Sequence, residues 1–303
     1  PHTGSFAVRG AATIKRKRTA TTLALSLSMI LMAQSGAAFA ACTPGPNVTC
    51  SDTTANTAII GGGDAAAGNN WNITVNPGST VTNTSNGISG NTVFSVHDNS
   101  TITVNGTVSG NASVGYGGMY NTGPNVIEAN TGNTITIGSG AIVQQLGSTT
   151  NGEAVNVHGH SNTIINNGTI SSHNGAALWF QDRTTAIDPS ERNHVINHGT
   201  IRTDKGPSYN VFGTSQNSGG PGLLFDNYGT VDGSLRFGNG SDSLTFGSGS
   251  VITGNVDGGG GTYDLTLYAD SSDPAGQLLG SVKNFTSITK EGPGPWGTFC
   301  QVP

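Results

Sequence analysis

Two stretches decide the fold, Asn162-Thr-Ile-Ile-Asn-Asn-Gly168-Thr-Ile170 and Asn193-His-Val-Ile-Asn-His-Gly199-Thr-Ile201. Each stretch alternates apolar and polar residues, turns at its glycine and starts a second alternating strand. A single unit of this kind cannot bury its apolar face, whereas a stack of them buries a continuous one. Five more units share the pattern, at Gly78, Gly106, Gly140, Gly229 and Gly249.

The seven glycines are 28, 34, 28, 31, 30 and 20 residues apart, which is the spacing of solenoid repeats. We expect a positive φ at these glycines, because it lets the chain bend into the next strand. The sequence therefore predicts an all-β fold, a right-handed parallel β-helix (solenoid).

Composition is unusual for a globular chain, since only 10% of the 303 residues are charged against roughly 25% in ordinary domains. A disordered chain is the alternative interpretation. Disorder, however, goes with high net charge and few β-branched residues. Here Val, Ile and Thr recur in register, which favours the stacked fold.

The first 40 residues resemble an upstream segment followed by an export signal. Lys15-Arg-Lys-Arg18 is a positive region, and the apolar stretch 19–32 follows it. Small residues at Ala38 and Ala40 predict cleavage between Ala40 and Ala41. The apolar stretch is shorter than the roughly 20 residues that span a bilayer, so we expect no membrane anchor there. A lipoprotein cleavage box ending at Cys42 is the alternative.

Cysteine usage agrees with an oxidising destination. Cys42 and Cys50 flank a turn-rich segment and close a nine-residue ring if they are bonded, which predicts a disulfide at the start of the mature chain. Such a ring is worth roughly 2–3 kcal/mol on the chain-entropy account. Two independent thiols are the alternative, and Cys300 is left over.

Charge excludes one class of partner. Residues 1–40 carry five of the 12 basic residues and no acid, so the mature chain has seven basic and 17 acidic residues, a net charge of −10. No basic stripe remains to neutralise phosphates, so we expect no nucleic-acid partner.

Domain organisation follows from where the alternation is clean. Residues 41–70 form a Gly/Ala/Asn-rich lead-in or cap, and residues 71–296 form the β-helix. Alternation breaks at 171–193, which we expect to loop out of the stack as a recognition surface or as an ordinary loop between rungs. Residues 203–222 are a second predicted loop.

The block from Leu235 to Gly260, with Asn-Gly-Thr turns before it, resembles the passenger domains of bacterial autotransporters (type V secretion). Its most specific part is Gly-x-Gly-x-Asp-x-Leu followed by Gly-Ser-x-Ile-x-Gly-x-Val-Asp-Gly-Gly. Lys290-Glu-Gly-Pro-Gly-Pro-Trp296 is similar to the junction that ends such passengers. The resemblance covers most of residues 50–296.

The resemblance implies a parallel β-helix exported to the periplasm and carried across the outer membrane by a C-terminal β-barrel. The expected location is the cell surface, the outer membrane or the medium. That barrel is not present in these 303 residues, and the tail 297–303 departs from the family's next strand. We therefore expect an aberrant or truncated end.

Motifs for catalysis and cofactors are weak. No complete serine-nucleophile turn, phosphate loop or dinucleotide fingerprint occurs, so we expect no catalytic residue and no cofactor. His158-Gly-His160 could present two metal ligands, and the turn at Asp242 matches part of a calcium repeat. Surface histidines and simple turn geometry explain them better, so we expect no metal.

The favoured function is a non-catalytic adhesin, a virulence-type passenger that binds a host-cell surface, a matrix or other bacterial cells. Trp179 and Phe180 are the expected apolar anchors, and Arg183 and Arg192 the expected polar contacts, because aromatic and Arg side chains dominate binding hot spots. The alternative is a secreted polysaccharide-processing β-helix enzyme, a lyase or glycosidase. Its paired carboxylates are not visible in the sequence, where the acids are scattered.

Overall fold

The structure is a computed structural model that describes residues 42–56, 60–63, 66–83, 92–111, 125–148, 152–181, 189–214, 222–297 and 300–301. The predicted cleavage point Ala40/Ala41 and Arg183 lie outside these residues. Within them the chain forms parallel strands and two short 3₁₀ turns, Ala66–Gly68 and Pro189–Glu191, with no α-helix.

Three long parallel sheets run the length of the solenoid. Sheet A has ten strands, β1 Asn47–Cys50, β3 Asn72–Val75, β6 Thr101–Val104, β9 Thr134–Ile137, β12 Thr163–Asn166, β15 Asn193–Asn197, β18 Leu223–Asn227, β21 Ser241–Phe246, β24 Thr262–Tyr268 and β27 Ser287–Glu291. Sheet B has nine, β2 Thr53–Asn56, β4 Thr80–Asn83, β7 Thr107–Gly110, β10 Ile142–Gln145, β13 Thr169–Ser172, β16 Thr200–Thr203, β19 Thr230–Asp232, β22 Val251–Ile252 and β25 Gln277–Leu278.

Sheet C also has nine strands, β5 Phe94–Asp98, β8 Ile127–Thr131, β11 Val155–Val157, β14 Leu178–Phe180, β17 Asn210–Thr214, β20 Ser234–Arg236, β23 Val256–Asp257, β26 Ser281–Lys283 and β28 Cys300–Gln301. The chain visits A, B and C in turn, so one rung is three strands. The predicted parallel β-helix is confirmed.

Register places like residues on like residues. In sheet A, Ile73, Ile102, Ile135 and Ile164 pair in succession, and all four are fully buried. Because side chains alternate along each strand, every second residue points into one continuous core, and the residues between them form columns on the outside. This stacking buries apolar faces that no single rung could cover.

Two segments that were predicted to be loops contain strands of sheet C, the third strand of each rung. Residues 171–181 were expected to leave the stack, but β14 lies within sheet C, where Leu178 and Phe180 are buried. Residues 203–222 were expected to be a loop, but they include β17, whose Phe212 is fully buried. Both predictions were wrong because β14 and β17 show too little alternation of apolar and polar residues to be recognised as strands.

The turn glycines serve two purposes. Gly78 has φ of 77°, as predicted, since only glycine adopts this left-handed conformation freely. Gly199 is different, because its added Cβ would collide with the backbone oxygen of Gly168 in the preceding rung. At Gly199 the requirement is close approach between rungs, so a positive φ was the wrong expectation there.

Buried asparagines form hydrogen-bonded ladders at the corners. The Nδ2 of Asn166 donates to the Oδ1 of Asn197 at 2.7 Å, and the Nδ2 of Asn197 donates to the Oδ1 of Asn227 at 2.6 Å. All three residues have no exposed surface. Each asparagine stands two residues before a turn glycine, so the ladder joins successive A-to-B corners and satisfies polar groups that would otherwise be costly to bury.

Phenylalanines fill the core around the middle rungs. The ring of Phe212 lies 5.7 Å from that of Phe180, 4.9 Å from Phe225 and 5.1 Å from Phe237, all in tilted arrangements. Aromatic pairs at such distances add to the stability that comes from burial alone. The cluster links sheets A and C across the interior.

The N-terminal rung carries a disulfide between Cys42 and Cys50. Cys50 ends β1 and is fully buried, while Cys42 packs at the edge of the core.

In the described part of the chain, no helix is both long enough and apolar enough to span a lipid bilayer.

Candidate functional site

The two predicted apolar anchors lie on opposite faces of β14. Phe180 is 1% exposed and points into the core against Phe212, so it cannot contact a partner, and its assignment as a binding residue was wrong. Trp179 points outward and is partly exposed. Alternation along the strand separates them.

Trp179 lies directly opposite Gly213 of β17, and its six-membered ring occupies the place where a Cβ on Gly213 would be. Arg192 stands just before β15 at the corner between sheets C and A and is partly exposed. Of the predicted binding residues that the structure describes, Trp179 and Arg192 are thus partly exposed, whereas Phe180 belongs to the core.

The outer face of sheet A forms a more regular surface. In its early rungs two columns are rich in threonine, with Thr101 above Thr134 and Thr103 above Thr136. At the corner after the last inward residue of each strand lies a third column, which we name the aromatic column: His198, Tyr228, Gly247 and Tyr268.

Two contacts fix the ring of Tyr228 in the aromatic column: it stacks on His198, and it fills the space left by the absent side chain of Gly247. The rings of His198 and Tyr228 are stacked, with centroids 5.0 Å apart and planes at 13°. The Tyr228 ring then occupies the space where a Cβ on Gly247 would lie. Tyr228 remains 41% exposed and Tyr268 37% exposed. The column thus offers aromatic surface to solvent.

Carboxylates lie beside the aromatic column. The hydroxyl of Tyr268 donates to Oδ1 of Asp270 at 2.9 Å, and this hydrogen bond raises the pKa of Tyr268. Burial raises the pKa of Tyr228, and the charge of Asp226 adds to the effect. Both hydroxyls therefore stay protonated at neutral pH, and the local potential is negative.

A second candidate is a buried carboxyl cluster on sheet C, made of Asn125, Glu128, Glu153 and Asn156. The Nδ2 of Asn125 donates to Glu128 Oε1 at 2.8 Å, and the Nδ2 of Asn156 lies 3.5 Å from Glu153 Oε2. The backbone N–H of Glu153 donates to Asn125 Oδ1 at 2.9 Å. Two acids and two amides thus face each other across adjacent rungs.

Burial raises the pKa of Glu153 well above its ordinary value, and the neighbouring charge of Glu128 adds to the rise. Glycoside hydrolysis uses two carboxyl groups, one of which donates a proton and has a raised pKa. Glu128 is 0% exposed and Glu153 9% exposed, however, so a polymer has no access to them in this structure. Burial therefore favours a structural role for the carboxyl cluster over a catalytic one.

The two weak metal motifs of the sequence are His158-Gly-His160 and the turn at Asp242. His158 is 1% exposed, whereas His160 is partly exposed and its Nδ1 lies 3.9 Å from Glu191. Asp242 Oδ1 accepts the backbone N–H of Leu223 at 2.6 Å, which is a corner contact between rungs. Among the described residues, no three His, Cys, Asp or Glu side chains are grouped to hold a metal ion.

Neither the aromatic column nor the buried carboxyl cluster was predicted from the sequence, although the sequence contains a signal for the aromatic column. His198 and Tyr228 are the middle residues of Asn-x-Gly turns, a pattern that the units at Gly168, Gly199 and Gly229 share. Glu128 and Glu153 carry no such signal, because the lengths of rungs vary and the register between them is not fixed by spacing.

The fold and these surfaces define a parallel β-helix with an ordered polar exterior. No known protein family, no curated protein and no solved structure shows detectable similarity to the chain.

Proposed function

We propose that this protein is a non-catalytic, adhesive passenger of the autotransporter type, displayed at or released from a bacterial surface. The observation that carries the proposal is the outer face of sheet A, where ten parallel strands align exposed side chains into continuous columns. Such a face presents outward side chains at every rung, about 4.8 Å apart, with similar residues on successive rungs of each column.

Repetition suits adhesion because many weak contacts made together give avidity without a deep pocket. The threonine columns and the aromatic column lie on this face, and both contain partly exposed side chains. The acidic net charge of the mature chain keeps such a surface soluble.

Export is part of the proposal. The signal-like segment 1–40 and the Cys42–Cys50 disulfide both fit a chain that matures in an oxidising compartment. Mass spectrometry of exported protein should find Ala41 as the first residue. An N-terminus within the described rungs would contradict this part of the proposal.

The adhesion experiment uses beads coated with the exported full-length chain. We expect them to be retained on epithelial cells, on fibronectin or collagen, or on bacterial cells, and retention should rise steeply with the number of copies per bead. Beads carrying heat-denatured, alkylated chain are the control. Equal retention of native and denatured beads on every surface would contradict the proposal.

A polysaccharide-processing enzyme remains the second candidate, and the pairing of Glu128 with Glu153 is the observation that favours it. Incubation with acidic and neutral polysaccharides, followed by assays for reducing ends and for unsaturated products, tests it. Cleavage that is lost in both Glu128→Gln and Glu153→Gln would establish the enzyme. No cleavage by correctly folded wild-type protein would remove it.

A further inference from the structure

The aromatic column at the corner of sheet A is a ligand site of definable chemistry. We propose that Tyr228 and Tyr268 bind a neutral glycan chain that runs along the solenoid axis. The inference rests on the proposed binding function and names its ligand class.

Exposed apolar surface is concentrated in this column. Among the described residues the exposed large hydrophobics are Leu146, Tyr228, Tyr268 and Leu279. Two of these four belong to the aromatic column, and they are the only aromatic ones in that group. A column with two exposed rings on one line differs from scattered exposed residues, which need no explanation.

Spacing along the column suits a linear polymer. Strand β21, with Gly247 after it, separates Tyr228 from Tyr268, so the two tyrosines are two rungs, or about 10 Å, apart along the axis. Gly247 puts no side chain between them. A polymer of six-membered sugar rings that follows the axis would meet one tyrosine at about every second sugar.

The first ring is already fixed in position. Tyr228 stacks on His198 on one side and covers the backbone at Gly247 on the other. Tyr268 is held by its hydrogen bond to Asp270. Rings that are ordered before binding lose little conformational entropy when a ligand arrives, which matters most for a weak, shallow site.

Charge selects among ligands that stack on aromatic rings. Asp226, Asp270 and Glu291 lie beside the two tyrosines, so an anionic polysaccharide or a nucleic acid would be repelled. Carboxylates instead accept hydrogen bonds from sugar hydroxyls, while the C–H groups of the sugar pack against the exposed edges of the rings. A neutral glycan satisfies both features of the site.

The test is titration of the exported full-length chain with cellohexaose, xylohexaose and chitohexaose, followed by calorimetry and NMR. We expect at least one to bind. Tyr228→Ala and Tyr268→Ala should each weaken that binding about tenfold, as expected for loss of an aromatic packing contact. Tyr228→Phe should bind within about twofold of wild type, because the ring remains.

Matched controls keep folding separate from binding. Leu279→Ala removes an exposed apolar side chain elsewhere and should leave affinity unchanged. Gly247→Ala keeps both tyrosines but displaces the ring of Tyr228, so it should weaken binding as Tyr228→Ala does. Circular dichroism and melting curves must show that each variant is folded.

Three results would overturn the inference: no binding of any neutral hexasaccharide, binding by both Tyr→Ala variants that equals wild-type binding, or preference for an oligogalacturonate over the neutral probes. Bead adhesion separates this inference from the proposed function. Adhesion without hexasaccharide binding would refute only the glycan site. Hexasaccharide binding without adhesion to any surface would refute only the adhesin.

Discussion

Trp179 and Gly213 face each other in neighbouring parallel strands, and the indole fills the space that a side chain on Gly213 would need. The same relationship recurs where Tyr228 covers Gly247 and where Trp296 covers Gly276. An aromatic ring on one rung thus covers a glycine on a neighbouring rung. Glycine weakens a strand, and the ring restores cover on its exposed side.

Gly213→Ala should therefore destabilise the protein by ~1–3 kcal/mol, as overpacking does elsewhere. The glycine does not have a positive φ, so the cost comes from the displaced Trp179 ring. Chemical denaturation of Gly213→Ala, Trp179→Ala and the double variant measures the coupling between the two positions. In the Trp179→Ala background the alanine should be tolerated, and an unchanged penalty there would contradict the packing.

The buried asparagine ladder should be sensitive to a break in its middle. Asn197→Ala removes one of the two acceptors of the Asn166 Nδ2, which keeps its bond to the backbone oxygen of Thr200 at 3.2 Å, and it leaves the Oδ1 of Asn227 without the donor Asn197. A buried unsatisfied group costs ~1–3 kcal/mol, so we expect a loss of ~1–3 kcal/mol in the free energy of unfolding.

The neighbouring Asn167→Ala is the control for the ladder, because Asn167 is exposed and lies outside it. Its effect should stay within about 0.5 kcal/mol. Equal destabilisation by the two alanine variants, measured by urea titration, would show that the ladder contributes nothing specific.

The buried carboxyl cluster predicts a pH dependence of stability. Burial first, and the charge of Glu128 second, raise the pKa of Glu153 in the folded protein. Above the unfolded value of about 4.3, the folded state holds a proton that the unfolded state releases, so stability falls as pH rises towards the folded pKa and then levels off.

Glu153→Gln should remove that fall, because the amide stays neutral and still accepts from Asn156. Denaturation midpoints from pH 4.5 to pH 8 measure the difference, with the exposed Asp273→Asn as control. Parallel curves for wild type and Glu153→Gln would mean that Glu153 is ionised in the folded protein.

The N-terminal disulfide should stabilise the first rung. Replacing Cys42 and Cys50 with Ser and Ala should lower the free energy of unfolding by ~2–3 kcal/mol on the chain-entropy account. Hydrogen exchange should increase first in β1, which pairs only with β3 in sheet A. Free thiols in the oxidised wild type, or unchanged exchange in β1 of the variant, would contradict this prediction.

Much of the fold could be predicted from the turn units, because an alternating strand on each side of a glycine marks sheets A and B directly. Sheet C could not, since strands such as β11 and β14 have three residues and their outward positions hold Asn156 and Trp179. Three residues do not establish a period. The excursion expected around Trp179 was therefore a strand.

The candidate sites depend on register, which the sequence does not fix. Neighbouring core residues of sheet A are 33 positions apart from Ile102 to Ile135 but 19 from Phe225 to Leu244, so equal spacing cannot align the rungs. For that reason the sequence gives no indication that Glu128 and Glu153 lie close together in the fold. Tyr228 was recognisable in principle, because its Asn-x-Gly turn fixes its place in the column.

We propose that the protein binds surfaces and does not process them. The most direct test incubates the exported chain with a neutral and an acidic polysaccharide, each presented on beads, and records retained protein and released sugar together. We expect protein to be retained on the neutral polysaccharide with no new chain ends. Release of soluble sugar that is abolished by Glu128→Gln and Glu153→Gln would contradict it.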